Sequence, residues 1–349
     1  MSPTEVFVNI EQENLIELAT AALRGYGISK NDARDASRIL VLADMFGVHT
    51  HGVSRISSYG ERLQVGAIKA QPDIRIERVA AVISRIDGDN GVGPLVGMRA
   101  LDAAMDLARE FGAGIAFVRN SNHFGPVSSY SYIAAQQGFA SMIASNTNTM
   151  IAPWGGRDAR VGNNPIGLCV PNPDGDPIML DMALSVAARA KVRRALDRGE
   201  TIPSTWATDR GGHPTTDPRA ALDGFMLAIG GHKGYGLALM MDLLAGLLSG
   251  ANYLTHVRSW LEAPSDPQNL GHFFLLLDSS RLGPQEWLAE RMTDFAAIVH
   301  DTPPADPNAP VLLPGEIEMR KFRRAEKEGI MLERKVLDEL RTRAARVAV

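Results

Sequence analysis

Apolar residues recur at helical spacing near the start of the chain. Leu15, Leu18, Ala19 and Leu23 fall on one face, behind an Asn9-Ile-Glu-Gln-Glu segment whose cap-like Asn and early acids predict a helix start. Gly25 and Gly27 close that helix. Ser29 and Asp32 open a second, carrying Ala33, Ala36, Ile39, Leu40 and Ala43. The period then changes. Residues 74–87 (IRIERVAAVISRID) alternate apolar and charged positions, which predicts one or two strands. Further strands are expected at 114–119, 139–145, 177–182 and 272–278, and helices at 95–111, 126–137 and 285–300; the tail from about 328 reads as helical and basic. The run Leu237 to Leu248 (LALMMDLLAGLL) predicts a buried helix. It is too short for a bilayer crossing, which needs about 20 residues. Two stretches lack period: 146–166 is rich in Asn, Gly and Pro and long for a connection, as functional loops often are, and 199–224 is turn-rich. The pattern is mixed α/β, without the strict alternation of a doubly wound sheet.

Length and composition narrow the classes. The chain has 349 residues, enough for about two domains and for a core that needs no disulfide or metal staple. Hydrophobic residues at 45% and charged residues at 22% are ordinary for a soluble globular protein. Cys169 is the sole cysteine, so an intrachain disulfide and a Cys-rich zinc module are excluded. Its setting, IGLCVP, predicts a buried, inert thiol. Lys and Arg total 36 against 40 Asp and Glu, a net charge of −4, which lowers the weight of nucleic acid as a partner. The N-terminal segment has no basic start followed by an apolar run. A cytoplasmic protein with no membrane partner is expected.

Four segments hold candidate chemistry. Gly91-Val-Gly93-Pro-Leu-Val-Gly97 suggests a dinucleotide fingerprint, but position 96 is Val where the third Gly is required and Pro follows the second Gly. A turn leading into a helix is the better reading. Gly47-Val-His49-Thr50-His51-Gly52, followed by Arg55, gathers two imidazoles, a hydroxyl and a guanidinium. Imidazole suits proton transfer near neutral pH, and the Arg fork matches a carboxylate. If residues 51–55 are helical, His51 and Arg55 share a face. His49 and His51 are two apart, the wrong spacing for two metal ligands on one helix face; a surface turn is the bland alternative. Asn120-Ser-Asn-His123-Phe-Gly125 ends a predicted strand, so His123 is either a functional group or a turn residue. Gly230-Gly-His-Lys233-Gly234-Tyr-Gly236 precedes the apolar helix and offers an anion site, or else close helix packing. It is not a Walker loop, and no HExxH-type metal spacing occurs. His213, His256, His272 and His300 read as structural or surface residues.

Together, these segments resemble the type II malate/L-lactate dehydrogenases, a family that includes sulfolactate and ureidoglycolate dehydrogenases. The blocks that carry the resemblance are GVHTHGVSR (47–55), DGDNGVG (87–93), RNSNHFG (119–125), APWGG…VGNNPIG (152–167), MLDMALS (179–185), GGHKGYGLALMMDLLAGLLSG (230–250), GHFFLLLD (271–278) and LPGE (313–316). They occur in family order along nearly the whole chain. The resemblance implies an α/β fold whose NAD(P)-binding domain is not of the Rossmann type: a largely antiparallel sheet, residues 76–254, beside a mainly helical domain built from both chain ends, residues 1–75 plus 255–349. It implies a homodimer that interconverts small 2-oxo and 2-hydroxy acids with NAD or NADP. By the same resemblance Thr50-His51-Gly52 stands at the family's Ser-His-Gly motif, with Thr for Ser, Arg55 at the carboxylate-binding arginine and His123 at the second histidine, the acid/base. Asp181, Met182 and Ala183 match a cofactor-contacting strand end, and Asp181 could also orient a histidine. Thr147, Lys233, Gly234, Pro314, Gly315 and Glu316 match cofactor-proximal positions. Two alternatives remain open: a reductase of cyclic imino acids such as piperideine-2-carboxylate or pyrroline-2-carboxylate, using the same residues, and a non-catalytic small-molecule binding protein.

Overall fold

A computed structural model describes residues 6–260 and 262–347. The chain opens with strand β1 (Phe7–Ile10), followed by α1 (Gln12–Arg24) and α2 (Lys30–Met45). Asn9 therefore lies in a strand, and Glu11 occupies the position before α1; the expected Asn cap is replaced by pairing of this edge with the far end of the chain. Ser29 does cap α2, accepting from the Asp32 N–H. Then come α3 (Arg55–Gln64), the hairpin β2 (Arg75–Ala80) and β3 (Ile83–Asp87), α4 (Gly93–Phe111), β4 (Ala113–Ser121), α5 (Val127–Ala135) and β5 (Phe139–Ser145). The long loop 146–166 contains two short strands, β6 (Thr149–Ile151) and β7 (Val161–Gly162). After β8 (Ile166–Val170) and β9 (Ile178–Met182) comes α6 (Arg189–Arg198), a helix the sequence pattern did not predict. The turn-rich region holds β10 (Ala207–Thr208) and α7 (Pro218–Asp223), followed by β11 (Phe225–Met226). The remainder is α8 (His232–Met241), β12 (Leu270–Asp278), α9 (Gln285–His300), α10 (Glu316–Glu328), β13 (Ile330–Glu333) and α11 (Arg334–Ala344).

The main sheet has seven strands in the order β2-β3-β4-β12-β5-β8-β9. The pair β3–β4, joined by α4, is parallel, and every other neighbouring pair is antiparallel. That is the expected non-Rossmann, antiparallel-rich arrangement. One face carries Ala116, Val118, Ile143, Phe274 and Leu276 against α4 and α5, with α2 packed on those two helices and α1 on α2. The other carries Phe117, Met142, Phe273 and Leu275 against Ala238, Met241 and Ala245 of α8 and the wide helical turn that follows it. Covered on both faces, β12 reads as the unbroken apolar run HFFLLLD.

This placement corrects the expected boundary. β12 falls in the stretch assigned by sequence to the terminal helical domain, yet it is inserted between β4 and β5 at the centre of the sheet. The two chain ends do meet, through the antiparallel pair β1–β13. A third, small cluster packs Val192 and Ala195 of α6 with Ala207, Ala221 and Met226 beside the short strands β10-β11-β6-β7. Cys169 is buried, and burial pushes its thiol up to about 12, as its apolar setting predicted.

Candidate active site

The His51 turn begins where α2 stops. Gly47, with φ of +75°, reverses the chain, and His49–His51 form one tight 3-10 turn. Gly52 is extended, so α3 starts afresh at Arg55. His51 and Arg55 are thus not on one continuous helix, contrary to the simplest expectation. The turn itself brings them together: the Arg55 Nε donates to the Thr50 carbonyl, and Thr50 Oγ1 lies 2.9 Å from His51 Nδ1. Asp44, an acid inside the apolar stretch of α2, holds the turn in place. Its buried carboxylate accepts from the Val53 N–H at 2.8 Å and from His49 Nδ1 at 2.9 Å. Gly52 packs so closely that a Cβ there would stand 2.2 Å from Asp44 Oδ1. Burial raises the Asp44 pKa, while the His49 and Val53 hydrogen bonds pull it back.

His123 arrives from the end of β4. Asn122 is buried and donates to Asn90 Oδ1 at 3.0 Å and to the Gly91 carbonyl at 2.9 Å. A Cβ on Gly93 would lie 2.2 Å from the His123 carbonyl oxygen. Gly93 of the false dinucleotide motif therefore lets the start of α4 approach the backbone of residues 122–123. The His51 and His123 rings are 5.1 Å apart between centroids. Tyr59, fully buried on α3, places its hydroxyl 2.7 Å from His123 Nδ1. Trp260 lies 5.6 Å from the His123 ring, with the Arg55 guanidinium 5.7 Å over its own ring.

Both imidazoles are neutral at physiological pH. Burial, aided by the Arg55 charge, lowers His51 to about 4, although part of its surface still meets solvent. Burial, then His51, Arg55 and His272, holds His123 well below its ordinary value. In each ring Nδ1 is engaged, by Thr50 or Tyr59, and no hydrogen bond to either Nε2 occurs among the described residues.

His272 joins this cluster to the rest of the sheet. It is fully buried on β12, and its two ring nitrogens contact Ser145 Oγ and Ser121 Oγ, each at 2.8 Å. Its ring stacks on Phe124 at 4.0 Å. Burial lowers it to about 3. It therefore bridges the ends of β4 and β5, two residues from His123 on one side and two from Thr147 on the other. Thr147 donates through its hydroxyl to Asn163 Oδ1 and through its N–H to Asn164 Oδ1, both at 2.9 Å. Asn164 in turn donates to the Ala238 carbonyl and to Asp242. Thr147 is thus anchored to α8, whose first turn carries Lys233 and Gly234. A Cβ on Gly234 would be 1.8 Å from the Ile229 carbonyl oxygen. Gly230 and Gly231 take left-handed φ values of +56° and +65°, with open space around Gly230. Lys233 is exposed and forms no ion pair among the described residues.

Two imidazoles, a guanidinium free of any ion pair among the described residues and a phenol thus meet beyond the end of β4, an interior strand of an antiparallel-rich sheet. The sequence model of the malate/L-lactate dehydrogenase family matches residues 10–341. The chain belongs to the malate/L-lactate dehydrogenase family. This dehydrogenase is 34% identical to a malate dehydrogenase of Pyrococcus horikoshii, over 99% of this chain and 97% of that one. It is also 34% identical to a (2R)-3-sulfolactate dehydrogenase (NADP(+)) of Chromohalobacter salexigens, over 94% and 95% of the two chains. Among solved structures, it resembles delta1-piperideine-2-carboxylate reductase from Pseudomonas syringae, with a TM-score of 0.87, 28% identity and coverage of 96% and 99%.

The remaining expected residues of the dehydrogenase lie apart from the imidazole pair. Asp181, at the end of edge strand β9, accepts from the Ser128 N–H at 2.8 Å and so secures the first turn of α5; no hydrogen bond or ion pair joins it to a histidine among the described residues. Met182 packs against the cluster under α8, and Ala183 follows it. Pro314 accepts from the Met179 N–H at 3.1 Å. Gly315, with φ of +92°, lies so near Met179 that a Cβ would be 2.7 Å from its carbonyl oxygen. Glu316 is paired with His300 at 2.7 Å. No group of three or more metal-ligating side chains occurs among the described residues.

Sequence reasoning missed Asp44, Tyr59 and Trp260, and gave His272 only a structural or surface role. Asp44 and His272 carried a signal, a polar residue inside an apolar run. Tyr59 stands one helical turn after Arg55. Trp260 had no local signal.

Proposed function

We propose that the chain interconverts a small 2-oxo acid and its 2-hydroxy acid with a nicotinamide cofactor. The observation that carries this reading is Arg55, without an ion-pair partner among the described residues, beside two neutral imidazoles whose Nε2 atoms remain available. Arg55 would hold the substrate carboxylate through its free Nη groups. The C2 oxygen would then meet His123 Nε2. In reduction His123 gives a proton to the developing alkoxide, and in oxidation it takes one from the hydroxyl. His51 polarises the same oxygen. The arriving carboxylate offsets the Arg55 charge that lowers both imidazoles, so substrate binding raises their pKa and favours the protonated acid needed for reduction.

The cofactor supplies the hydride. Residues fitted to hold it are Thr147, just past the end of β5, and Lys233, with the left-handed Gly230–Gly231 turn, open at Gly230, suited to phosphate oxygens. Asp181, Met182 and Ala183 on β9 and Pro314, Gly315 and Glu316 beside them complete the proposed set. Reduction of a cyclic imine, with nitrogen taking the proton, is the second reading; likeness to the piperideine-2-carboxylate reductase favours it. We propose a homodimer acting in the cytoplasm; Met240, Leu247 and Leu248 leave an apolar row exposed that a second copy would cover. The test is a panel of 2-oxo acids and cyclic imines assayed with NADH and NADPH. Turnover of oxo acids supports the first reading, turnover of imines alone the second, and inactivity on both rejects the proposal.

A further inference from the structure

The face of α3 that carries Arg55 and Tyr59 also carries Arg62, at spacings of four and three residues. Arg62 is buried. It donates to the carbonyls of Pro264 at 3.1 Å and Asp266 at 2.9 Å. These bonds pin a strap at Pro264 and Asp266, which is also closed by Gln268 donating to the Arg258 carbonyl and by an Arg258–Asp266 ion pair. Trp260 sits in this strap between two guanidiniums, Arg55 at 5.7 Å and Arg62 at 5.9 Å from its ring centroid. Its ring is 5.6 Å from that of His123 and 6.4 Å from that of Tyr59. A molecule that reaches from Arg55 to His123 therefore runs along the indole.

We infer that Trp260 is the specificity-determining wall of the substrate site, selecting acids with one carboxylate and a compact apolar or cyclic substituent. This rests on the dehydrogenase reading above. An indole face welcomes methyl and methylene groups and offers no partner to a second anion. Arg55 is the permanent charge that acts on both histidines, and it is assigned to the first carboxylate. Arg62 already serves two backbone carbonyls. With Arg62 buried and both of its Nη groups on backbone carbonyls, a carboxylate or sulfonate on C3 would lose hydration against the indole and gain no direct hydrogen bond from that cation.

The experiment compares kcat/KM for pyruvate, 2-oxobutyrate, 2-oxoisocaproate, oxaloacetate and piperideine-2-carboxylate in the wild type, Trp260→Phe and Trp260→Ala. The wild type should favour 2-oxobutyrate over oxaloacetate at least about tenfold, because the second carboxylate must be desolvated without a partner where the other acid carries only a methyl. Trp260→Ala should raise the 2-oxoisocaproate-to-pyruvate ratio about tenfold or more, and Trp260→Phe should shift it less in the same direction. NADH affinity, read by fluorescence titration, should not change. A preference for oxaloacetate, or a ratio that both variants leave unchanged, overturns the inference while the dehydrogenase reading stands. A wild type inactive on every acid and imine overturns both. Should Trp260→Ala fail to fold, the wild-type panel and Trp260→Phe decide.

Discussion

The Tyr59 hydroxyl and the His123 Nδ1 share a 2.7 Å hydrogen bond. Burial keeps the phenol protonated and the imidazole neutral. With the phenol donating to Nδ1, the neutral ring carries its proton on Nε2; with Nδ1–H donating to the phenol oxygen, Nε2 carries the lone pair that takes the substrate proton in oxidation. When His123 is charged, its Nδ1–H donates instead and the phenol oxygen accepts. One hydroxyl can thus serve both states of the proposed acid/base while fixing the ring plane.

Tyr59→Phe should leave cofactor affinity intact and lower kcat about fivefold, in line with about 1 kcal/mol for one hydrogen bond. The pH profile should move as well, because the two states of His123 lose a shared partner. Steady-state kinetics from acid to alkaline pH make the check. An unchanged kcat with an unchanged profile would reduce Tyr59 to a packing residue.

His123→Ala should cut kcat by about 10²–10⁴-fold, the range for a positioned proton donor. Fluorescence titration with NADH should still show binding. Near wild-type turnover would remove His123 from the proposed chemistry.

Arg55→Lys should act mainly on KM. The lysine ammonium cannot reproduce the planar fork or the bond from Nε to the Thr50 carbonyl. A rise of about tenfold corresponds to about 1.4 kcal/mol. An unchanged KM would argue against carboxylate clamping.

His272 links pH to stability. Its folded pKa is about 3, below the ordinary value near 6.5. Its stabilising effect is therefore complete above about pH 6.5 and declines as pH falls toward about 3, where the folded state would also take the proton. Urea unfolding at several pH values should show stability decreasing through this window. His272→Gln should flatten the decline and lower stability at pH 8, because the Ser121 and Ser145 hydroxyls lose their shared imidazole. An equal slope in both proteins would count against this role.

Several elements were legible because their causes are local. Ser29 caps α2 as its sequence position implied, and the broken glycine fingerprint correctly excluded a Rossmann site. The strand at 272–278 was visible as an apolar run, but its position was not. An element buried on both faces looks the same whether it lies at the edge of one domain or, as β12 does, between β4 and β5. The helix α6 escaped notice because its surface is largely charged and its buried residues are few.

By itself, the sequence determined the order of most elements, the residue types of the His51–Arg55 turn and the His123 strand end, and the family to which they point. Tertiary structure alone decided that Tyr59 supports His123, that Asp44 braces the turn, that His272 ties two strand ends together and that Trp260 lines the cluster. Periodicity records what each residue does within its own helix or strand. These contacts join positions from 64 to 205 residues apart, except for Asp44 and its turn, and are set by strand register and close packing, which leave no regular spacing in the chain.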